Sequence, residues 1–210
     1  MIELFNHLFP HLDFKWIFLN FHATIYLILF LVIFIETGLV VMPFLPGDSL
    51  LFTAGLFAKL GYLNISALIL LLFCAAVLGD NLNYLIGKTI GLRVLHLKIK
   101  GKNLVKQEYL DRTHGFYEKY GPKAIIMARF VPIVRTFAPF VAGIAEMKYR
   151  TFLLFDLLGG VVWISSLTLT GYCLGNYSWI QTHIEQVAIG IIVVSVLPML
   201  IGLLVPKKQS

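Results

Sequence analysis

Residues 36–49 read ETGLVVMPFLPGDS, and this stretch decides the fold because it places acids, prolines and a glycine inside an otherwise apolar chain. Residues 129–139 read RFVPIVRTFAP and repeat the interruption with two arginines and two prolines. An ionisable side chain at the bilayer centre costs about 2.5–3.5 kcal/mol on insertion scales, so it usually faces a partner or a wet cavity. Helix-breaking backbone at that depth is tolerated only where protein buries it or where it lines a cavity. Two broken segments of opposite charge therefore predict a site inside a membrane.

The overall composition indicates an integral membrane protein. The chain has 210 residues, of which 59% are hydrophobic and 13% are charged, and its mean hydropathy is +0.85. Soluble domains carry about 25% charged residues. The length suits one membrane domain over residues 1–210. Residues 1–23 lack the basic start of a secretory signal, so we interpret them as an interfacial lead-in.

The positive charge is concentrated in one loop. Residues 88–123 contain nine basic and three acidic side chains and so supply the whole net charge of +6. The positive-inside rule explains such a loop and places it in the cytoplasm, where it can also lie against anionic head groups. Nucleic acid is a much weaker explanation for this charge, and we expect no nucleic-acid partner.

Hydropathy and charge together predict an inverted repeat of α-helical elements. We predict a re-entrant broken segment at 24–60, a span at 63–87, the basic loop at 88–123, a second re-entrant segment at 124–147, and spans at 151–175 and 184–205. If 124–147 returns to the cytoplasmic side, the basic residues at 148, 150, 207 and 208 all lie inside. The two broken hairpins then have opposite orientations, as in many secondary transporters.

The first broken segment offers two candidate acids and a helix start. Glu36 is either a proton-titratable group or a carboxylate that balances a buried arginine, and the two roles are compatible. Pro43, Pro46 and Gly47 end any helix, and Asp48 can cap the next one. The helix N-terminus at Gly47 has unpaired N–H groups that attract anions. Asp48 would oppose an anion unless it is protonated or paired, which suits a proton-linked gate.

The second broken segment offers two candidate anion ligands. Arg129 and Arg135 are six residues apart and would not share a face of a continuous helix, but a break at Pro132 can turn both toward one cavity. A guanidinium stays charged and grips phosphate with two parallel hydrogen bonds. The alternative role is structural pairing with Glu36 and Asp48. Pro139 is a second supporting break in this segment.

Other polar positions in the spans are better explained by packing. Asp80 and Tyr84 share one helix face between Gly79 and Gly87, which predicts a polar packing seam rather than a catalytic group. Asp156 either lines a hydrated cavity or forms hydrogen bonds with backbone groups. The two cysteines, at 74 and 173, lie in apolar runs and are interpreted as small buried residues.

The chain has no sequence signature of catalysis. We find no nucleophile–base pair, metal-ligand set, phosphate-binding glycine loop or nucleotide motif. We therefore expect no metal, no cofactor and no enzyme activity. Any driving force for transport must come from ion gradients or from the gradient of the substrate itself.

The motifs resemble those of the DedA family of bacterial inner-membrane proteins, within the wider VTT (SNARE-associated) superfamily. The resemblance is carried by residues 36–52, by the pattern GDxxNYxxG at 79–87 and by the pattern ARFVPxxRTFAP at 128–139, where x is any residue. Gly143 and Met147 fit the end of the family pattern. It implies a polytopic inner-membrane protein with two facing re-entrant segments. It also implies important acids at Glu36 and Asp48 and important arginines at Arg129 and Arg135. Relatives are implicated in recycling undecaprenyl phosphate, in proton-dependent drug and alkaline resistance, and in phospholipid scrambling.

The leading hypothesis is a proton-linked flippase for a lipid phosphate such as undecaprenyl phosphate, which would support envelope integrity. Arg129, Arg135 and Gly47 would hold the phosphate, and Glu36 and Asp48 would exchange protons, with Pro43, Pro46, Asp80, Tyr84, Pro132 and Pro139 in support. Its partners are a membrane lipid, either a polyprenyl phosphate or a phospholipid, and protons. A proton-coupled antiporter for small ions or drugs, a membrane scaffold and an intramembrane lipid enzyme are the alternatives. Homo-oligomerisation is left open.

Overall fold

The described part of the chain consists mainly of α-helices. The computed structural model describes residues 22–39, 47–96, 98–99, 102–103, 117, 119–183, 187 and 190. The elements are α1 (His22–Gly38), α2 (Gly47–Lys59), α3 (Ile65–His96), β1 (Lys98–Ile99), β2 (Lys102–Asn103), a 3-10 turn (Gly121–Lys123), α4 (Ala124–Ala128), α5 (Pro132–Ile144), α6 (Tyr149–Leu174) and α7 (Ser178–Thr182). The two-residue strands form one antiparallel ladder in which Ile99 pairs with Lys102. The helical fold class predicted from the sequence is confirmed.

Two helices are long and apolar enough to cross a membrane. They are Ile65–Thr89 within α3 and Tyr149–Leu174, which is α6. These lie at two of the predicted spans. Helix α3 continues beyond its apolar part to His96, so the first residues of the predicted basic loop extend the helix. The third predicted span, at 184–205, and the lead-in fall almost wholly outside the described residues.

The two proline-containing segments are broken where the sequence predicts. Helix α1 ends at Gly38 and α2 begins at Gly47. Pro43 and Pro46 lie between these helices, outside the described residues. In the second segment α4 ends at Ala128, and α5 begins with Pro132 at its first turn, where the missing N–H of proline costs least.

The interpretation of Pro139 as a second break is wrong, because this residue lies inside α5. A proline within a helix cannot donate to the carbonyl four residues earlier, which here belongs to Arg135. Helix α5 is nevertheless continuous from Pro132 to Ile144. Its packing along α3 holds the local sequence in a helix that its intrinsic propensity disfavours.

Each of the long helices α3 and α6 packs against one half of each broken segment. Helix α3 packs along α1 and α5, and α6 packs along α2 and α4. Each broken segment therefore divides its two halves between the two long helices.

Glycines set the close approach between these helices. An added β-carbon on Gly87 would overlap the backbone of Phe140, and one on Gly143 would overlap the backbone of Tyr84. Helices α2 and α6 approach in the same way at Gly55 and Gly171. Small residues at such contacts bring helix backbones together where lipid offers no hydrophobic driving force. The packing seam predicted between Gly79 and Gly87 agrees with the close approach at Gly87.

The interpretation of Cys74 and Cys173 as buried residues is wrong. Both are exposed on the molecular surface as free thiols. Apolar runs in a membrane helix have an outer face that is as apolar as the inner face, so hydropathy alone cannot tell which face is buried.

Candidate functional site

Arg135 joins both acids of the first broken segment. Its Nη2 is paired with Oε1 of Glu36, and its Nη1 lies 2.5 Å from Oδ1 of Asp48. The arginine comes from α5, whereas Glu36 lies near the end of α1 and Asp48 in the first turn of α2. One guanidinium therefore holds the two sides of the first break together. We call Arg135, Glu36 and Asp48 the first cluster.

The two acids of the first cluster differ in accessibility. Glu36 is 2% exposed, whereas the Asp48 side chain is 49% exposed. Charge that is removed from solvent must be paired, because an isolated buried ion carries a large desolvation cost. Arg135, itself buried, supplies that pairing for Glu36. The cluster thus has a buried end at Glu36 and an open end at Asp48.

Gly47 makes room for the buried acid. A β-carbon at this position would overlap the Glu36 carboxylate, with Oε2 as the nearest atom. That oxygen is buried and has no hydrogen-bond partner. The sequence singled out Gly47 for its backbone N–H groups, and the backbone N–H of Gly47 interacts with the carboxylate of Glu36.

Arg129 belongs to a different pair of acids. Its Nη2 lies 2.6 Å from Oδ2 of Asp80 and 2.6 Å from Oδ1 of Asp156, and all three side chains are buried. The expected pairing of Arg129 with Glu36 and Asp48 is therefore wrong. The reason is the break at 129–131, which leaves Arg129 between α3 and α6 while Arg135 lies about one turn into the next helix. We call Arg129, Asp80 and Asp156 the second cluster.

Small residues of α6 make the space for Arg129. An added β-carbon on Gly159 would lie 3.0 Å from Cδ of Arg129, and one on Gly160 would lie 3.6 Å from its Nη2. The Nε and Nη1 atoms of Arg129 are buried and have no hydrogen-bond partner. The guanidinium is thus held at one nitrogen only, which leaves three N–H bonds unused.

Trp163 lies between the two clusters. Its ring is 4.7 Å from the guanidinium carbon of Arg135 and 5.7 Å from that of Arg129. Its indole nitrogen donates a 3.0 Å hydrogen bond to Oδ1 of Asp48. A cation against an aromatic face gains about 0.5–2 kcal/mol, depending on its desolvation. One buried side chain of α6 therefore contacts both arginines.

Polar side chains of α3 hold the broken segments in place. The Nδ2 atom of Asn83 donates to the carbonyls of Thr37, at 3.0 Å, and Thr136, at 2.9 Å, so it ties α1 to α5. The hydroxyl of Tyr84 donates to the carbonyl of Met147 at 2.5 Å. The predicted seam on this face therefore includes Tyr84, whereas Asp80 is an ion-pair partner.

The predicted residues separate into three groups. Glu36, Gly47, Asp48 and Arg135 are brought together, and Arg129 and Asp80 lie in the second cluster. Tyr84 and Pro139 make structural contacts, Pro132 begins α5, and Pro43 and Pro46 lie outside the described residues. The sequence indicated for Asp156 only that it lines a hydrated cavity or forms hydrogen bonds with backbone groups, and it did not single out Trp163. An acid within the apolar run 151–175 carries the same signal as Glu36 and identifies Asp156 on that ground.

Both clusters have the same chemical composition, two carboxyl groups and one guanidinium. With every group ionised each carries a formal charge of −1, which is unfavourable in a buried site and is relieved by taking up a proton. Among the described residues, no group of three His, Cys, Asp or Glu side chains is arranged to hold a metal ion. Proton exchange and binding of an anion to a released arginine are the chemistry open to these side chains.

Comparison with known proteins assigns the family. Residues 45–173 match the family model described as the VTT domain. The chain is 44% identical to Protein DedA of Escherichia coli strain K12, over all of this chain and 95% of that protein. It is 44% identical to an uncharacterized membrane protein of Mycobacterium leprae, over 81% of this chain and 76% of that protein. It is 32% identical to the inner membrane protein YghB of E. coli, over 87% of this chain and 82% of that protein.

No solved structure matches the chain. The matched model covers α2 to α6 and with them all three members of the second cluster, together with Asp48 and Arg135 of the first. The alignment with the E. coli protein extends over the remainder, including Glu36. The chain is therefore a membrane protein of the DedA family, whose members carry the VTT domain.

Proposed function

We propose that this chain is a multi-pass transporter of the bacterial cytoplasmic membrane that moves a lipid phosphate across the bilayer in a proton-linked cycle. The observation that carries the proposal is the first cluster, in which one buried arginine bridges two acids at the meeting point of two broken segments. Intramembrane ionisable residues mark substrate or ion pathways. A lipid of the undecaprenyl phosphate type has the required head group.

Arg135 is the residue that suits the phosphate best. Its two terminal nitrogens already bind two separate carboxylate oxygens, one from Glu36 and one from Asp48. A phosphate group presents oxygens that a guanidinium can bind in the same bidentate way. The half-exposed Asp48 gives an entrance to this position. Arg129 would bind the phosphate at a later position through the N–H groups that have no partner.

Protonation is the step that releases Arg135. Neutral Glu36 and Asp48 no longer attract the guanidinium as anions, so its donors become available to the incoming phosphate. Loss of the protons on the other side restores the ion pairs and expels the lipid head group. The apolar tail stays in the bilayer throughout, since moving it through protein would forfeit its contacts with lipid.

The packing of the helices supports two re-entrant hairpins of opposite orientation. Each broken segment divides its halves between α3 and α6, and Arg135 of the second segment pairs with an acid on each side of the first break. This is the arrangement expected when discontinuous helices from two inverted repeats form a site at the midplane. The proposal needs such a site because alternating access requires both breaks to line one cavity.

The test uses purified protein in liposomes that carry a labelled polyprenyl phosphate, with and without a pH gradient. Accessibility of the head group on each face is followed for the unmodified protein and for Arg135→Lys. The matched control is Arg150→Lys, at an exposed position at the start of α6. We expect gradient-sensitive movement that Arg135→Lys reduces at least tenfold and Arg150→Lys retains. No movement by the folded, unmodified protein would reject the proposal.

A proton-coupled antiporter for small cations or drugs is a second candidate, favoured by the charge of the clusters. Two carboxylates for each arginine leave a formal negative charge, which suits a cation rather than an anion. In that case the acids are the site and Arg135 only balances them. Arg135→Lys keeps the positive charge and would largely spare cation exchange, so cation-driven proton flux that survives this change would favour the antiporter.

A further inference from the structure

The second cluster has its own geometry, separate from the cluster that holds the proposed substrate. The carboxyl oxygens of Asp80 and Asp156 both contact the same nitrogen of Arg129, each at 2.6 Å. The two acids come from different helices, α3 and α6. Two carboxyl groups that share one donor atom are necessarily close neighbours.

The cluster contains a buried acceptor with no donor. Oδ2 of Asp156 has no hydrogen-bond partner, and the side chain is 1% exposed. A carboxylate oxygen that keeps negative charge in such a place loses its hydration without compensation. A proton on one of the two carboxyl groups removes this cost and leaves a neutral set of one acid, one carboxylate and one guanidinium. Paired carboxyl groups elsewhere hold a single proton for the same reason.

In the part of the chain that the structure describes, no second cation touches the acids. Among the described residues, the charged and titratable groups that act on the pair are Arg129, Arg135 and the hydroxyl of Tyr117. Arg135 is occupied by Glu36 and Asp48, and Tyr117 donates its proton to the carbonyl of Ala138 at 2.9 Å. Helix α4, which packs on α6, contains no charged residue. Among these groups, Arg129 and a bound proton are therefore the ones that balance the negative charge of the two carboxyl groups.

We propose that Asp80, Asp156 and Arg129 form a second proton-binding site, in which the two carboxyl groups hold one exchangeable proton. This inference does not depend on the identity of the transported substrate. Uptake of a further proton neutralises both acids and frees Arg129, as protonation of Glu36 and Asp48 frees Arg135. The protein then carries two proton-binding sites, which face each other across Trp163.

The test counts protonated aspartates by infrared spectroscopy in the full-length protein. The chain has five aspartates, at positions 13, 48, 80, 111 and 156. Replacing the other three by asparagine leaves only Asp80 and Asp156, and ¹³C labelling of the aspartate carboxyl group separates their signal from that of Glu36 and the other glutamates. The second cluster keeps all of its residues in this protein, and Arg135 keeps Glu36 as its partner when Asp48 is replaced.

We expect one protonated aspartic acid per chain at neutral pH, seen as the carbonyl band of an undissociated carboxyl group. A second carboxyl should gain a proton as the pH falls. Adding Asp80→Asn or Asp156→Asn should abolish the neutral-pH band, because the remaining acid then pairs fully with Arg129. A spectrum with no protonated aspartate at neutral pH would overturn the proposal, and so would a spectrum with two.

The result is independent of transport. A missing band, together with normal movement of lipid phosphate by the unmodified protein, would reject the second proton site and leave the proposed function standing. A single protonated aspartate, with no movement of lipid phosphate by the unmodified protein, would support the second proton site and reject the proposed function. The two proposals therefore fail separately.

Discussion

The ring of Trp163 lies 4.7 Å from the guanidinium carbon of Arg135 and is almost fully buried, at 1% exposed. The same ring faces Arg129 at 5.7 Å. A buried cation that is stacked on an aromatic face is stabilised without the formation of a further ion pair. Trp163 therefore stabilises both arginines without competing with the carboxyl groups that bind them.

Replacing Trp163 with phenylalanine should separate its two contacts. The substitution retains an aromatic ring but removes the N–H that donates to Asp48. We expect a loss of about 1 kcal/mol for that hydrogen bond, plus a similar cost for the smaller ring, and therefore a thermal midpoint that is several degrees lower. Thermal unfolding in detergent measures this change in the midpoint. Trp179→Phe, at a position that is 65% exposed, is the control and should shift the midpoint far less.

Gly47→Ala should disrupt the first cluster through Glu36. The new methyl group would overlap the carboxylate, which must move away from Arg135 or push α1 from α2. Overpacking of this kind costs about 1–3 kcal/mol. In the liposome assay we expect at least a tenfold lower rate of lipid-phosphate movement.

Gly190→Ala is the matched control, because an added β-carbon at Gly190 meets no heavy atom of the described residues within 4 Å. It should transport at the rate of the unmodified protein. A Gly47→Ala protein with an unchanged rate would show that Glu36 has no fixed position in transport.

Glu36→Gln should flatten the pH dependence of transport. Glutamine is neutral at every pH, so Arg135 no longer loses and regains this partner as protons bind. Asp48 remains, but half of its side chain is in contact with the surroundings and it holds Arg135 less firmly. Transport rate is measured against pH in liposomes. Glu146→Gln, at an exposed position after α5, is the control that should keep the full dependence.

The fold could be predicted from the sequence to the level of helices and breaks. The apolar runs gave α3 and α6, and Pro132 gave the start of α5, since proline fits a first helical turn. Pro139 was wrongly interpreted as a break, because local propensity cannot show that packing on α3 keeps α5 helical through that residue. The exposure of Cys74 was missed because apolar composition does not distinguish the two faces of a membrane helix.

The first cluster was within reach of the sequence, whereas the second was not. Opposite charge on two broken segments was enough to suggest that Arg135 meets Glu36 and Asp48. The direction in which each arginine points depends on the backbone at 129–131, which spacing alone cannot give. Trp163 carried no signal, since a tryptophan in an apolar run has the same composition whether it faces lipid or an arginine.

Tyr84→Phe should reduce stability without changing transport. The hydroxyl donates to the carbonyl of Met147 at 2.5 Å and so joins α3 to the turn after α5, while the ring stacks on Phe152 with centroids 4.5 Å apart. Phenylalanine keeps the stacking but leaves the carbonyl without this donor. We expect a cost of about 1 kcal/mol and a thermal midpoint lower by about 2–4 °C. Tyr177→Phe, at a position that is 64% exposed, should be neutral by comparison. Because Tyr84 is in neither cluster, a transport rate that falls in Tyr84→Phe while the protein remains folded would mean that the turn at Met147 moves during transport.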